Sequence, residues 1–218
     1  MITDYSKALG DLTKEEASRI QNEEQLYIRQ KDANKRLSKA PPRKICILCG
    51  SPIKGREFLH RGVSFITCHQ CNHIQTKALP PVGFPDELEG KEQFSKIYPK
   101  LEKDQFEDRK NRIYRPKLDW IFSALERSGY KKIELLKKKW LELGSGSGAF
   151  LSSLEDMGVN NYVGFEKEET LLERAKTFVA PERVSISRVS LGEIIRANQA
   201  DVICSFFVFE HDENLSEL

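Results

Sequence analysis

Trp140-Leu141-Glu142-Leu143-Gly144-Ser145-Gly146-Ser147-Gly148-Ala149-Phe150-Leu151 is the stretch that decides the fold. It begins as a short apolar run holding one acid, the pattern of a buried parallel strand. Glycines follow at every second position, and an apolar, helix-compatible segment, Ala149 to Leu154, comes next. Strand, glycine turn and helix start make a nucleotide-binding βα unit. Glycine admits positive φ and leaves no Cβ between backbone and ligand. The helix start adds free N–H groups facing a polar ligand. The competing reading is a glycine-rich turn without a ligand.

Two ligands could use this turn. Gly144, Gly146 and Ala149 fit the dinucleotide spacing G-x-G-x-x-G/A, while Glu142, Gly144, Gly146 and Gly148 fit an acid followed by G-x-G-x-G. Glu142 favours S-adenosylmethionine. A carboxylate at the carboxyl end of a strand meets the cationic amino group of the methionine moiety, whereas it would repel a pyrophosphate.

Downstream the pattern alternates as an α/β domain should. A helix to about Met157 precedes a strand, Asn161 to Glu166. Glu166 lies 18 residues after Gly148, where an acid can accept both ribose hydroxyls of an adenosine. Thr170–Val179 reads as a helix, Val184–Val189 as a third strand and Leu191–Ala197 as a short helix. Ala200–His211 reads as a fourth strand, apolar enough to be central, with Cys204 a small buried hydrophobe rather than a nucleophile. Upstream, residues 116–128 read as a helix, with Pro116 in its first turn and Gly129 after its end. Lys137-Lys138-Lys139 reads as a solvated loop.

A second module occupies residues 45–79. Cys46-x-x-Cys49-Gly50 and Cys68-x-x-Cys71 are two knuckles separated by eighteen residues. Paired knuckles complete a tetrahedral four-thiolate zinc site, which stabilises a module too small for a full core. Phe58–Thr67 reads as the hairpin of a zinc ribbon. A redox dithiol is the competing reading, and His73 is an alternative fourth ligand. A closed four-thiolate site leaves no position for a catalytic water, so the metal is structural.

Residues 1–44 form a charged leader. Thr13-x-x-Glu16 resembles a capping box, and a solvated helix is expected from Lys14 to Lys35. Lys35, Arg36, Lys39, Arg43 and Lys44 make a basic end that either touches phosphates or is a solvated face. Residues 80–115 read as a linker containing Pro80, Pro81, Pro85 and Pro99, whose aromatic residues Phe84, Phe94, Tyr98, Phe106 and Tyr114 imply packing.

The 218 residues allow one domain and a small accessory module. Hydrophobic residues make up 39% and charged residues 31%, and the net charge of +2 does not by itself argue for nucleic acid. No apolar run approaches the ~20 residues of a membrane span. The charged start lacks a secretory signal, so the expected compartment is the cytoplasm, with cysteines reduced or metal-bound.

Taken together, residues 116–218 resemble the class I S-adenosylmethionine-dependent methyltransferases. The resemblance rests on Glu142–Gly148, Gly164-Phe165-Glu166 and Asp201-Val202-Ile203 running to Val208-Phe209-Glu210-His211. The last resembles that family's fourth-strand motif, with Phe209 in place of leucine. Some such enzymes, including sugar C-methyltransferases and ribosomal RNA methyltransferases, carry an N-terminal zinc module. The resemblance implies that Glu142, Gly144, Ser145, Gly146 and Gly148 contact the methionine part, that Glu166 holds the ribose, and that Ser205 and Phe206 lie beside the cofactor. His211, with Glu210, is the implied base. The family's sheet continues past a fourth strand. This implies either a fragment, or a homo-oligomer or partner that covers Phe206–Phe209. The expected fold is therefore a Rossmann-like methyltransferase domain holding the first four strands, after a zinc ribbon and a helix. The expected activity is S-adenosylmethionine-dependent methylation of a small metabolite such as a sugar or nucleotide sugar. The alternatives are RNA methylation through the zinc module and a non-catalytic scaffold.

Overall fold

The computed structural model describes residues 23–80, 100–212 and 215–218. The capping box at Thr13, the expected helix before Glu23, and Pro81, Pro85, Pro99, Phe84, Phe94 and Tyr98 lie outside the described residues. Two compact units emerge. One is built from Lys100–Glu210, the other from the described part of Glu16–Pro99 together with His211–Leu218.

In the smaller unit, helix α1 (Glu23–Leu37) precedes strands β1 (Gly55–His60), β2 (Val63–Cys68) and β3 (Ile74–Thr76). The strands form one antiparallel sheet in the order β1-β2-β3. Arg61 and Gly62 join β1 to β2 with φ of 48° and 80°. Positive φ at both central residues gives a turn whose twist matches the flanking strands. The hairpin thus falls where its sequence places it. Its core is small: Ala33 and Leu37 of α1 pack on Val63, with Ala40, Phe65 and Ala78 around them. A core of this size does not hold a module alone and calls for a further staple.

The larger unit opens with helix α2 (Lys103–Arg109), which runs through a π turn, Lys110–Tyr114, straight into helix α3 (Arg115–Arg127). The helical run therefore starts at Lys103, inside the expected linker, and not at residue 116. Pro116 does sit in the first turn of α3. Proline crowds the preceding turn of an α-helix and lacks a donor. The wider π turn accommodates it, with the Arg115 N–H donating to the Lys110 carbonyl. Lys110 is buried, yet its Nζ lies 2.7 Å from both Glu107 and Asp156 and 3.4 Å from Ser152 Oγ. Phe106 stacks on Phe178 at 3.9 Å.

After the short helix α4 (Lys132–Leu135) come strand β4 (Trp140–Leu143), helix α5 (Ala149–Met157), strand β5 (Tyr162–Glu166) and helix α6 (Glu169–Phe178). Strand β6 (Val184–Ile186), helix α7 (Leu191–Asn198) and strand β7 (Val202–Ser205) complete the unit. The sheet is parallel throughout, in the order β6-β5-β4-β7. Every residue of β4 is buried, as a strand covered on both faces requires. Trp140 joins a core with Phe122, Phe150, Leu154 and Leu172. Leu141 and Leu143 point to the other face and meet Ile194 of α7.

The last strand differs from expectation. It ends at Ser205 instead of running to His211, and among the described residues it lies at the sheet's margin. Phe207 takes φ of +57°, which turns the chain out of the strand. Phe206 sits edge-on to Phe150 at 5.0 Å, so it packs on the core instead of lining a bare edge. Phe209–His211 forms a 3-10 turn.

The buried lysine yields a stability test. Lys110→Met removes the cation shared by Glu107 and Asp156, both partly solvated, so the cost is about 1–2 kcal/mol. Urea unfolding followed by the fluorescence of Trp140 should show the lower midpoint.

Candidate functional site

The site is built on the turn between β4 and α5. Gly144, Gly146 and Gly148 have φ of 71°, 53° and 83°. At Gly144 a Cβ would lie 2.2 Å from Val208 Cγ2, so the position excludes any side chain on steric grounds as well. At Gly146 a Cβ would meet nothing within 4 Å; the turn faces open space there. Gly164 of β5 lacks a Cβ where one would lie 2.7 Å from Ser145 Cβ, and this lets the turn lie close over the strand.

Hydrogen bonds lace the turn to β5. The N–H groups of Gly144 and Ser145 both donate to the Phe165 carbonyl, at 2.8 and 3.0 Å. The Gly146 N–H donates to Glu166 Oε2 at 2.7 Å, and the Glu168 N–H donates to Oε1 at 2.9 Å. Gly146 and Glu168 thus donate to different oxygens of Glu166, the Lys167 N–H adds a third backbone donor, and the carboxylate still has acceptor capacity for a ligand.

Glu142 sits one register position away from this arrangement, opposite Gly164 on β5 and Cys204 on β7. It is 2% exposed, and its Oε2 has no hydrogen-bond partner; neither do the buried hydroxyls of Ser145 and Ser205. Buried polar atoms are normally paired, so three orphans at the carboxyl ends of β4 and β7 mark a place prepared for a polar ligand. Burial raises the Glu142 carboxyl well above its ordinary range; the Glu166 charge raises it further, and Lys117 opposes the shift. Glu166 is also raised by burial, and its backbone donors at Glu168 and Gly146 work against that shift. Two buried acids in one cleft favour a cationic ligand over an anionic one. Burial, with Glu142 nearby, pushes the Cys204 thiol up to about 12, which keeps it protonated and inert.

The structure adds two residues that sequence reasoning missed. Lys117 Nζ lies 5.0 Å from the ring centre of Tyr114, 4.6 Å from Phe206 and 5.6 Å from Phe207. Tyr114 and Lys117 are spaced i, i+3, so a continuous helix through both would have placed them together. Reading Tyr114 as linker concealed that signal. Of the other expected site residues, Phe206 packs beside the turn through Phe150, and His211 is exposed at the end of its 3-10 turn.

In the smaller unit the two knuckles repeat one geometry. The Gly50 N–H donates to the Cys46 carbonyl at 3.0 Å, and the Asn72 N–H to the Cys68 carbonyl at 2.8 Å. Cys46 N–H donates to Ser51 and Cys68 N–H to His73, both at 2.8 Å. Gly50 and Asn72 take positive φ, 66° and 61°, as the residue after each second cysteine. The four sulfurs lie within 4.8 Å of one another, with Cys46–Cys71 at 3.7 Å and Cys49–Cys68 at 3.8 Å. Zinc–sulfur bonds of about 2.3 Å set tetrahedral sulfur–sulfur edges of about 3.8 Å, so the donor set fits the ion. Among the described residues His73 is not in the cluster.

The thiol energetics agree. Backbone N–H donation from Cys71 holds the Cys68 thiol down, to about 6. At Cys71 the His73 N–H also pulls down, but burial and the three neighbouring sulfurs outweigh it, to about 12. Four thiolates this close do not all ionise without a cation among them.

A protein family described as a methyltransferase domain matches residues 107–218, half of the chain. No curated protein matches. The match begins before residue 116 and takes in the π turn, Tyr114 and Lys117. The parallel sheet, the glycine turn and both strand-end acids all lie within it, and the chain belongs to the class I S-adenosylmethionine-dependent methyltransferase family.

Proposed function

We propose that the larger unit binds S-adenosylmethionine at the β4–α5 turn and methylates a small acceptor of the sugar or nucleotide-sugar kind. The observation that carries the cofactor reading is the set of buried, unpartnered oxygens of Glu142, Ser145 and Ser205 around an open glycine turn. When bound, S-adenosylmethionine supplies an electrophilic methyl group. Glu142 balances the ligand's ammonium charge. Ser145 and Ser205 offer hydroxyls to its polar atoms, and the free lone pairs of Glu166 accept the ribose hydroxyls. Phe206 walls the cleft and excludes water. Glu210, at the end of the larger unit, takes the proton that the acceptor loses. The rest of the work is orientation.

A small acceptor accords with the charge of this unit. Lys100–Glu210 holds nineteen lysines and arginines against eighteen acids, so it offers almost no net attraction to a polyanion. A second reading, RNA as the acceptor, rests on the basic charge of residues 23–80, taken up below. In this proposal the cysteine module is a structural zinc ribbon in a reducing, cytoplasmic setting, held by Cys46, Cys49, Cys68 and Cys71.

Calorimetric titration with S-adenosylhomocysteine, with NAD as control, tests the cofactor. Micromolar binding to the first alone is expected, and a preference for NAD would overturn the reading. Glu142→Gln should weaken binding about tenfold or more without lowering the thermal midpoint, because the amide keeps the shape of the buried acid and cannot acquire a charge beside Glu166. Glu142 has a raised carboxyl in the free protein and must ionise to meet an ammonium group. Affinity therefore rises as pH climbs above the ordinary carboxylate range. The sign for stability is opposite: an acid whose folded value is raised favours the unliganded fold less as pH climbs above its unfolded value.

Metal analysis should find one zinc per chain. Chelation, or Cys68→Ser, should unfold the smaller unit and leave homocysteine-ligand binding in place.

A further inference from the structure

The near-neutral total charge conceals a basic module. Residues 23–80, from the start of α1 onward, carry eleven lysines and arginines against four acids, Glu23, Glu24, Asp32 and Glu57, a net of +7, while the whole chain carries +2. Four thiolates on a divalent ion would subtract about two charges, and the module would remain strongly positive. A field of this kind, confined to one small module, attracts polyanions.

The hairpin has a face suited to one class of them. Arg56, Phe58 and His60 alternate onto the same side of β1, opposite Thr67, Phe65 and Val63. All of β1 is exposed. Phe58 stacks on Phe65 at 5.5 Å with the rings 13° apart, and it remains 38% exposed. His60 stands edge-on to Phe65 at 6.2 Å. α1 covers the Val63 end of this face, through Ala33 and Leu37 with Phe65 packed at the edge of that cluster, and it brings Lys35 and Arg36 in its last turn. An open sheet bearing a stacked aromatic pair beside cations is a platform for unpaired bases. Duplexes do not offer free base faces to it. An acidic protein surface would satisfy the charge but would leave the aromatic pair without a stacking partner.

We propose that the open face of the β1–β2 hairpin docks single-stranded RNA, with a base stacked on Phe58 and phosphates on Arg56 and the basic residues around it. RNA loops and ends are where unstacked bases are presented. The inference concerns the smaller unit and does not depend on methyl transfer by the larger one.

The test is fluorescence anisotropy of the full, zinc-loaded chain with a fluorescein-labelled uridine-rich 12-mer RNA. Micromolar binding at about 50 mM salt should weaken about 20-fold at about 200 mM, the slope for three phosphates on a single strand. Phe58→Ala should weaken binding fivefold or more at an unchanged salt slope, because a base loses its stacking partner. Phe58→Leu, which preserves the apolar cover of Phe65, should weaken it similarly at unchanged zinc content, separating stacking from misfolding. Arg56→Gln should lower the salt slope by about 0.7. No binding at the lower salt overturns the proposal. So does equal binding to duplex RNA, to single-stranded DNA or to heparin, or wild-type affinity in Phe58→Leu.

Discussion

The hydrogen bond from the Gly146 N–H to the Glu166 carboxylate is the constraint on which the site depends. It ties the turn after β4 to the end of β5 and fixes where the open side of the turn faces. The same carboxylate holds the Glu168 N–H, which sets the entry to α6. One buried acid thus orders two loops and still has lone pairs left for a ligand. Its burial is costly in isolation, and a neighbouring buried acid, Glu142, adds to the cost. The fold tolerates this because β4 is covered on both faces and the helices around it are well packed.

Strain and unpaired polarity gather at one end of the sheet. Gly144, Gly146 and Gly148 with their positive φ, the left-handed Phe207 and the orphaned hydroxyls of Ser145 and Ser205 all lie at or beyond the carboxyl ends of β4 and β7. Elsewhere the larger unit is conventional: Trp140, Phe122, Phe150 and Leu154 fill a core without polar loose ends. This division between a regular body and an irregular rim is what a binding cleft requires.

Much of this was legible in the sequence. The four strands, the helices between them, the hairpin and the knuckles follow from periodicity and from fixed spacings, which act locally. The strand-end acids were legible for the same reason. Three features were not. The helical run from Lys103 has too few apolar positions to signal itself, because its anchor is a buried lysine whose partners lie partly on a distant helix. The early end of β7 depends on Phe206 finding Phe150, a contact that no local pattern encodes. Lys117 escaped because its neighbours are aromatic rings from two separate segments. The basic charge of residues 23–80 was present in the sequence all along, but it vanishes when summed over the whole chain.

The π turn at Lys110–Tyr114 carries one residue more than an α-helix would hold there. Removing a single residue from it would make the helix more regular. It would also rotate everything upstream by about 100°, one step of the helical wheel. Phe106 would then swing off Phe178, and Lys110, with Glu107 still beside it, would leave Asp156. The irregular turn therefore works as a phase adjuster: it lets one continuous helix present two different sides correctly, and a deletion that tidies the backbone would put half of the helix out of register with its core.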